Sequence, residues 1–197
     1  MSARRLTPAG SEPGSATEGE LRAELARTPG ICVLTGGQTG VDTMAAEAAL
    51  KAGLPVHLVF PLGFLQEDGP ITPARRGALR GASFHQMASP DFAVRTRTCV
   101  SLADAVILID PAGGEGCQET VRAADATGCP LLFLGEGAEP GQIRDWLAQV
   151  GARIVMVAGC RASLLAAAGR EQRAKAQVAA IIAGLGISRQ AGDPSPP

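Results

Sequence analysis

Short apolar runs alternate with helix-forming segments along most of this chain, and this rhythm restricts its fold more than any other feature. The apolar runs cover residues 31–35, 56–60, 105–109, 131–134 and 154–157. Segments with the character of helices cover residues 42–52, 91–102, 118–127, 142–150 and 171–185, and four of them are followed by glycine. Short strands that alternate with helices are typical of βαβ units, whose right-handed crossovers cover a parallel sheet. The sequence therefore predicts an α/β fold, a three-layer parallel sheet with helices on both faces.

A single domain is the expectation for a chain of 197 residues. A domain of about this size buries roughly 70% of the surface of its unfolded chain, so it needs no disulfide or metal for stability. Hydrophobic residues make up 46% of the chain and aromatic residues only 3%, so Ala, Val, Leu and Ile must fill the core. We expect one ligand-binding domain over residues 30–187. Tails at residues 1–29 and 188–197 are predicted to be mostly disordered, because polar residues, Pro and Gly dominate them.

One short helix is predicted within the first tail. Thr17 and Glu20 have the spacing of a capping box, in which each side chain accepts a hydrogen bond from the other residue's backbone N–H. The box precedes an apolar residue, Leu21, and predicts a helix over residues 21–26.

The charge balance and the cysteines exclude several classes of partner. The formal net charge is −1 and aromatic residues are few, so we expect no nucleic-acid partner. No apolar run approaches the ~20 residues of a membrane span, and no apolar segment follows Arg4 and Arg5 as it would in a secretory signal. The five cysteines include no C-x-x-C pair, which favours reduced thiols in a cytoplasmic protein.

The first apolar run ends in a glycine-rich turn that leads into a predicted helix. The residues of this turn and of the helix start are Gly36, Gly37, Gln38, Thr39, Gly40, Val41 and Asp42. Glycine lets a ligand approach the backbone N–H groups, and the positive end of the following helix suits a phosphate. A tight turn without a ligand is the alternative. Asp42 is predicted to be the helix N-cap rather than a catalytic acid.

Two further glycine-containing turns follow predicted strands. Their candidate residues are Gly113, Gly114, Glu115, Gly116 and Cys117 in the first turn, and Gly159 and Arg161 in the second. If the turn at 36–40 and the turn at 113–117 lie on adjacent strands, they form one phosphate-binding edge, because ligands of parallel sheets lie beyond the carboxyl ends of the strands. Neither of these two turns is a Walker A loop, since no Gly-Lys-Ser/Thr follows the glycines, and neither completes a dinucleotide fingerprint.

Three arginines are candidates for contacts with a ligand. Arg161 is predicted either to pair with a phosphate or to be a solvated loop residue. Arg95 and Arg97 lie on the helix before the central strand. For these two, an exposed helix face with Asp91 as partner is the structural alternative to a ligand contact.

The histidines and one pair of acids have plain structural interpretations. His57 and His85 are interpreted as core or edge residues rather than catalysts. Glu67 and Asp68 could bind a metal, but they are interpreted as solvated loop acids, because two adjacent acids in a loop are usually solvated. We therefore predict no dedicated metal site.

The motifs and their order resemble the SLOG superfamily of Rossmann-like proteins, once called lysine-decarboxylase-like. That superfamily includes the lonely-guy phosphoribohydrolases that activate cytokinins. Those enzymes share a strand, a glycine-rich turn, an Ala-rich helix, a strand and a proline, and residues 33–61 follow that run here. Their arginine-bearing helix, Ala-Asp-Ala strand start and Pro-Gly-Gly loop are matched by Arg95 and by residues 103–105 and 111–116. The resemblance implies a Rossmann-like fold.

The order of segments is similar to that of the circularly permuted branch of this superfamily, because the strand and helix that open those enzymes stand at residues 153–185 here. Within the branch, four motifs resemble the molybdenum-cofactor-carrier-like proteins: Gly-Gly-Gln-Thr-Gly-Val-Asp at 36–42, Glu-Asp-Gly at 67–69, Asp-Trp-Leu at 145–147 and Val-Ala-Gly at 157–159. The resemblance covers roughly residues 31–185. It implies a bound pterin cofactor with a terminal phosphate, and a homo-oligomer, either a dimer or a tetramer.

Two departures from these relatives bear on function. The phosphoribohydrolases carry Gly-Gly-x-Gly-Thr-x-x-Glu, in which the glutamate acts together with the arginine. Here Cys117 stands at the threonine position and Thr120 at the glutamate position, while Glu119 is one residue early. One residue turns a side chain about 100° around a helix, so we expect Glu119 to point away from a glycosidic bond. Basic residues that the carrier group has before Glu-Asp-Gly are replaced by residues 63–66, which leaves fewer charges for an anionic ligand.

The leading hypothesis is a non-catalytic binding protein for a phosphate-bearing small molecule. The resemblance implies molybdenum cofactor as the cargo, held for storage or transfer, with its phosphate on the loop N–H groups and with Arg95 or Arg161 adding charge. The alternative is a nucleoside 5′-monophosphate phosphoribohydrolase that uses Arg95 and Glu119. A third hypothesis is a nucleotide sensor that signals to a protein partner.

Overall fold

A computed structural model describes residues 15–109 and 114–186. Its strands are β1 (Cys32–Thr35), β2 (Val56–Phe60), β3 (Leu65–Gln66), β4 (Gly69–Pro70), β5 (Ser83–Gln86), β6 (Ala105–Ile109), β7 (Leu131–Leu134) and β8 (Ile154–Gly159). Six of them form one parallel sheet in the order β5-β2-β1-β8-β6-β7, and β3 pairs with β4 in an antiparallel hairpin. The predicted parallel sheet is confirmed.

Helices cover both faces of this sheet. They are α1 (Glu18–Arg27), α2 (Val41–Lys51), α3 (Pro73–Ala78), α4 (Phe92–Leu102), α5 (Glu115–Thr127), α6 (Pro140–Val150), α7 (Ala162–Ala167) and α8 (Glu171–Gly186). Helices α1, α4 and α5 pack together in one group, and α2, α6 and α8 pack together in another. The three-layer, Rossmann-like α/β architecture predicted from the sequence is therefore confirmed. Within the described parts of the chain, no helix combines the length and the apolar character that a membrane span requires.

The order of the strands places a crevice in the middle of the sheet. Strand β8, which comes last in the chain, lies between β1 and β6 and pairs in parallel with both. Helix α2 follows β1 into one layer, whereas α5 follows β6 into the other. The carboxyl ends of β1, β8 and β6 therefore flank the reversal of strand order where ligands of open α/β sheets bind.

Aliphatic residues fill the core, as the composition predicts. Strands β1 and β6 are buried along their whole length. Three alanines of α2 (Ala45, Ala46 and Ala49) are fully buried, and their small side chains let that helix lie close to the sheet. The Ala-rich helix α8 packs on α2 and α6 through its buried residues, so it covers the sheet.

The N-terminal helix belongs to the domain rather than to a tail. The capping box is present: Thr17 N–H donates to the Glu20 carboxylate at 2.8 Å, and Glu20 N–H donates to Thr17 Oγ1 at 3.3 Å. Helix α1 begins at Glu18 rather than at residue 21, because the helix starts immediately after its cap. Leu21 and Leu25 are buried in the common core, so the domain begins before the predicted residue 30.

Several elements differ from the sequence prediction. Helix α5 begins at Glu115 instead of residue 118, because its first turn contains Gly116, a poor helix former that hides the start. Strand β5 and the short helices α3 and α7 were not indicated by apolar periodicity. Helix α3 nevertheless carries a local signal, since Thr72 is its N-cap and Pro73 its first residue.

Candidate functional site

A cleft of about 630 Å³ opens at the carboxyl ends of the central strands. Its walls come from the turns after β1 and β8, from the first turns of α4 and α5 and from the β3–β4 hairpin. This volume is within the range of small-molecule sites. A second cavity of about 110 Å³ lies by α6 and the end of α8, has mainly apolar walls and is too small for a nucleotide-sized ligand.

The cleft brings together most of the residues that the sequence singled out. Ten of them line it: Gln38, Asp42, Arg95, Gly114, Glu115, Gly116, Cys117, Glu119, Gly159 and Arg161. Four residues of the first turn do not line it: Gly36, Gly37, Thr39 and Gly40. The last candidate, Gly113, lies outside the described residues.

The N–H groups of the first glycine-rich turn are bound within the protein. Gly37 N–H donates to Thr35 Oγ1 at 3.3 Å. Gln38 N–H donates to Asp42 Oδ2 at 3.2 Å, and Thr39 N–H donates to the Gln38 side chain at 2.9 Å. Each residue has a single backbone donor. Three of the N–H groups on which the predicted phosphate contact depends therefore already have partners within the protein.

The glycines at the cleft allow its walls to pack closely. A Cβ at Gly36 would lie 1.1 Å from Arg95 Nη1, and a Cβ at Gly159 would lie 2.7 Å from a carbonyl oxygen of β6. Gly40 has a φ of +81°, and a Cβ there would lie 2.5 Å from the Cys160 carbonyl oxygen. These glycines therefore allow the first turn and the end of β8 to pack closely against α4, β6 and each other.

Arg95 and Asp42 form a buried ion pair on the wall of the cleft. Arg95 Nη1 lies 3.5 Å from Asp42 Oδ2, and their side chains are 8% and 7% exposed. Burial raises the pKa of Asp42, and the opposing effects of the Arg95 charge and of the Gln38 and Gly36 N–H groups do not cancel this rise.

One prediction and one structural alternative for these residues are wrong. The N-cap of α2 is Gly40 rather than Asp42, whose carboxylate instead turns back to Arg95 and to the preceding turn. Arg95 does not lie on an exposed face with Asp91, because Asp91 is the N-cap of α4 and accepts from Ala93 N–H at 2.7 Å.

One donor of Arg95 has no partner in the described part of the chain. Its Nε is buried and has no hydrogen-bond partner among the residues that the structure describes. A buried donor without a partner costs about 1–3 kcal/mol. A ligand atom that reached this donor from the cleft would remove that cost.

Two arginines, Arg97 of α4 and Arg122 of α5, bind the carboxylate of Glu119. Arg97 Nη1 donates to Oε1 at 2.6 Å, and Arg122 donates to Oε2 from Nε at 3.1 Å and from Nη2 at 2.8 Å. These hydrogen bonds, led by those of Arg122, hold the pKa of Glu119 below its ordinary value. Glu119 lines the cleft, but as an ionised carboxylate it is unsuited to donate a proton. Thr120, at the position of the family's glutamate, donates its hydroxyl to the Gly116 carbonyl at 2.9 Å.

Glu67 joins the hairpin to the turns after β1 and β8. The hydroxyls of Thr39 and Ser163 donate to its carboxylate, Ser163 N–H donates at 3.1 Å, and Arg161 Nε lies 3.6 Å away. Burial raises the pKa of Glu67, but the hydrogen bonds from Ser163 and Thr39 and the charge of Arg161 hold it below its ordinary value. The interpretation of Glu67 as a solvated acid is therefore wrong. Arg161, with a side chain 53% exposed, is both ion-paired and open to the cleft.

Helix α5 directs its N terminus into the cleft. Its N-cap Gly114 supplies no side-chain acceptor for the first-turn N–H groups. A Cβ at Gly116 would meet no atom within 4 Å, so a ligand can approach the backbone there. Free N–H groups and the positive end of the helix dipole attract anions.

The sequence did not indicate some of the cleft residues. Those not singled out include Gln66, Phe92, Thr96, Arg122, Met156 and Leu164. Arg122 had a usable signal, because it stands three residues after Glu119 on one helix and that spacing pairs opposite charges. Gln66 had none, since it lies in an irregular segment and contributes through a tertiary contact, its Nε2 donating to the Gly37 carbonyl at 2.7 Å.

Together, the sheet and the cleft define a Rossmann-like α/β protein with a ligand-sized site at the carboxyl edge of its strands. Residues 33–182 match the model of the circularly permutated YpsA SLOG family, and the chain belongs to that family. The resemblance drawn from the motifs and from the displaced C-terminal strand and helix is thus confirmed. Among curated proteins, none matches the chain.

Solved structures show a similar fold. A candidate molybdenum carrier protein from Syntrophus aciditrophicus SB is 21% identical, with a TM-score of 0.63 over 80% of this chain and 98% of that one. At this identity the similarity concerns the fold. AtPrR2 in its apo form is 17% identical over 67% of this chain and 49% of its own, with a TM-score of 0.36 that supports no argument.

Proposed function

We propose that this chain is a non-catalytic binding protein for a small molecule with a single phosphate group. The observation that carries the proposal is Arg95, a buried guanidinium on the cleft wall whose Nε lacks a partner in the described part of the chain. Asp42 and the close backbone of Gly36 hold this guanidinium in place. Because it is already ordered, little conformational entropy is lost when it binds an oxygen of a ligand.

The phosphate end of the ligand belongs at the first turn of α5. The open backbone at Gly116 and the positive end of the helix dipole both favour an anion there. Arg97 and Arg122 share the carboxylate of Glu119 beside this turn, and Glu115 adds a second carboxylate within it, so the positive charges do not exceed the negative ones. The subsite therefore suits no more than one phosphate.

The rest of the cleft favours a ring that donates hydrogen bonds. Three arginines and five carboxylates line the cleft, namely Arg95, Arg122 and Arg161 against Asp42, Glu67, Asp91, Glu115 and Glu119. This balance opposes a polyphosphate and supports a monoester whose heterocycle presents N–H groups. A pterin has such groups, so the most concrete ligand is molybdenum cofactor, carried as cargo. The similar fold of the candidate molybdenum carrier protein supports this choice.

Cofactor retention tests the proposal. Purified protein is mixed anaerobically with molybdenum cofactor released from a molybdoenzyme. The amount of active cofactor that remains is then measured over time by its ability to reconstitute a cofactor-free molybdoenzyme. We expect the protein to retain the cofactor and prolong its lifetime. Arg122→Gln, at an exposed side chain, should weaken retention about tenfold through the loss of a charged contact. Arg144→Gln on α6, at the second cavity, is the matched control and should retain it fully.

A folded wild-type protein that neither retains nor protects the cofactor would overturn the cargo assignment. Equal weakening by Arg122→Gln and Arg144→Gln would show that binding occurs outside the cleft. Circular dichroism and thermal unfolding of each variant establish that the comparison is made between folded proteins.

Hydrolysis of a nucleoside 5′-monophosphate is the second candidate function, because Arg95 and Glu119 line the same cleft. Its weakness is the engagement of both Glu119 oxygens by Arg97 and Arg122. Release of free adenine from AMP, abolished by Glu119→Gln, would establish this activity. We expect no release above that of heat-inactivated protein.

We also propose that the chain forms a homo-oligomer. Strand β7 lies at one edge of the sheet, and its Phe133 side chain is 52% exposed. An exposed aromatic residue on an edge strand is a common site of association. Light scattering after size exclusion gives the mass, and a monomer at all concentrations would overturn the proposal.

A further inference from the structure

A second cluster of polar side chains lies under the N-terminal helix and takes no part in the cleft. Helix α1 packs through Leu21 and Leu25. Two residues before it, Ala16 N–H donates to the carbonyl of Gln86 in β5 at 2.8 Å. The cluster consists of Glu24 from α1, His57 from β2 and His85 from β5, and none of the three lines the cleft.

The three side chains present their ligand atoms to one point. His57 Nδ1 lies 3.2 Å from His85 Nε2, and Glu24 Oε1 lies 3.8 Å from the first nitrogen and 3.7 Å from the second. A triangle with these sides has a point about 2.1 Å from all three atoms, which is the length of zinc bonds to imidazole nitrogen and carboxylate oxygen.

A hydrogen bond to the other nitrogen of His57 favours the same arrangement. His57 Nε2 lies 3.0 Å from Thr28 Oγ1, and Thr28 Oγ1 in turn donates to the Glu24 carbonyl at 3.3 Å. With its hydroxyl hydrogen used in this way, Thr28 Oγ1 accepts a hydrogen bond from the Nε2–H of His57. The Nδ1 of His57 then keeps its lone pair, and metal-binding histidines commonly have such a partner on their second nitrogen.

We propose that Glu24, His57 and His85 bind a Zn²⁺ ion, with water as the fourth ligand. Two imidazoles and one carboxylate are ligands that zinc takes readily, and the Glu24 side chain, 46% exposed, leaves an open side for the water. Burial lowers the pKa of both histidines, and this favours the neutral ring that a zinc ligand needs.

A hydrogen bond between the two histidines explains only part of this geometry. It accounts for the 3.2 Å contact between the rings, but it does not require a carboxylate beside both nitrogens. Glu24 Oε1, at 3.7 and 3.8 Å, is too far for a hydrogen bond to either ring and lies where a zinc ligand belongs. The family match begins at residue 33, so Glu24 lies before the matched region.

Zinc at this position would join α1 to the edge of the sheet. One ligand comes from the helix and two come from neighbouring strands, so binding is linked to docking of α1. At free zinc of about one hundred times the dissociation constant, the melting temperature should rise by roughly 5–10 °C.

The test is zinc binding by the full chain after removal of metal with a chelator. Competition with a chromophoric chelator gives affinity and stoichiometry, and Co²⁺ supplies the ligand set through its visible spectrum. We expect one ion per chain and the spectrum of a site with nitrogen and oxygen ligands. Glu24→Gln should weaken binding at least about tenfold, because one of three protein ligands is lost.

Glu18→Gln is the matched control. It removes a carboxylate from the same helix and a contact with Ser101 of α4, but it leaves the cluster intact. Its zinc affinity should equal that of the wild type. The proposal would be overturned if the two variants weakened zinc binding equally, or if the wild type bound zinc no more tightly than Glu24→Gln. A Co²⁺ spectrum with thiolate charge-transfer bands would also overturn it.

Discussion

The guanidinium of Arg95 lies directly against the backbone of Gly36, where a Cβ would be only 1.1 Å from Nη1. The same Nη1 lies 3.5 Å from Asp42, so the glycine creates the space in which this buried ion pair forms. Gly36 thus influences the cleft by leaving room for Arg95, which comes from helix α4.

Gly36→Ala should displace Arg95 and weaken ligand binding. Loss of a charged hydrogen bond removes about 1.5–3 kcal/mol, which corresponds to roughly a 10–100-fold loss of affinity. Titration with molybdenum cofactor, or with any phosphate ester that binds the wild type, measures the effect. Gly77→Ala on α3 is the control, since a Cβ there meets no atom within 4 Å. Unchanged affinity in folded Gly36→Ala would contradict the role of Arg95.

Gly40→Ala should destabilise the protein more than Gly53→Ala. Both glycines have positive φ, +81° and +71°, but only at Gly40 would a Cβ meet backbone, 2.5 Å from the Cys160 carbonyl. We expect about 1 kcal/mol of destabilisation for Gly53→Ala and at least about 2 kcal/mol more for Gly40→Ala. Urea unfolding measures both, and equal losses would show that the turns can separate without strain.

The stability of the protein should fall in acid partly through Glu67. Its pKa is lowered in the folded state, so below the ordinary value of 4.5 the unfolded chain takes up the proton first. The contribution is therefore complete above pH 4.5 and is lost as the pH falls through the lower folded-state value.

Unfolding free energies between pH 7 and pH 3.5 check this expectation. Glu67→Gln should have a shallower pH dependence than the wild type. Glu47→Gln on α2, which does not line the cleft, should follow the wild-type curve. Parallel curves for the wild type and Glu67→Gln would show that the contacts of Glu67 do not contribute to the pH dependence of stability.

Glu119→Gln distinguishes a binding site from a hydrolytic one. In a binding site, removal of this carboxylate frees the charges of Arg97 and Arg122, so a phosphate ligand should bind about 2–5-fold more tightly at low salt. In a phosphoribohydrolase the same change should remove turnover. Binding and base-release assays on one preparation measure both, and weaker binding would contradict the charge balance described above.

Local patterns in the sequence predicted the α/β layers, the turns that face the cleft and the displaced C-terminal strand. They were less informative at the glycines: the Gly-Gly-Gln-Thr-Gly-Val-Asp motif marked a turn that borders the cleft, but three of its N–H groups are bound within the protein. A motif gives the place of a turn because backbone conformation is local. It does not give the partner of each donor.

The sequence by itself determined the fold class, the family and the edge of the sheet where the cleft lies, because periodicity, glycine position and segment order are written along the chain. Only the tertiary structure decided that Arg95 faces Asp42, that Glu67 joins three turns, and that Glu24 meets His57 and His85. These contacts depend on which strands are neighbours and on how each helix is rotated against the sheet. Burial of the whole core decides both, and no short stretch of residues encodes either.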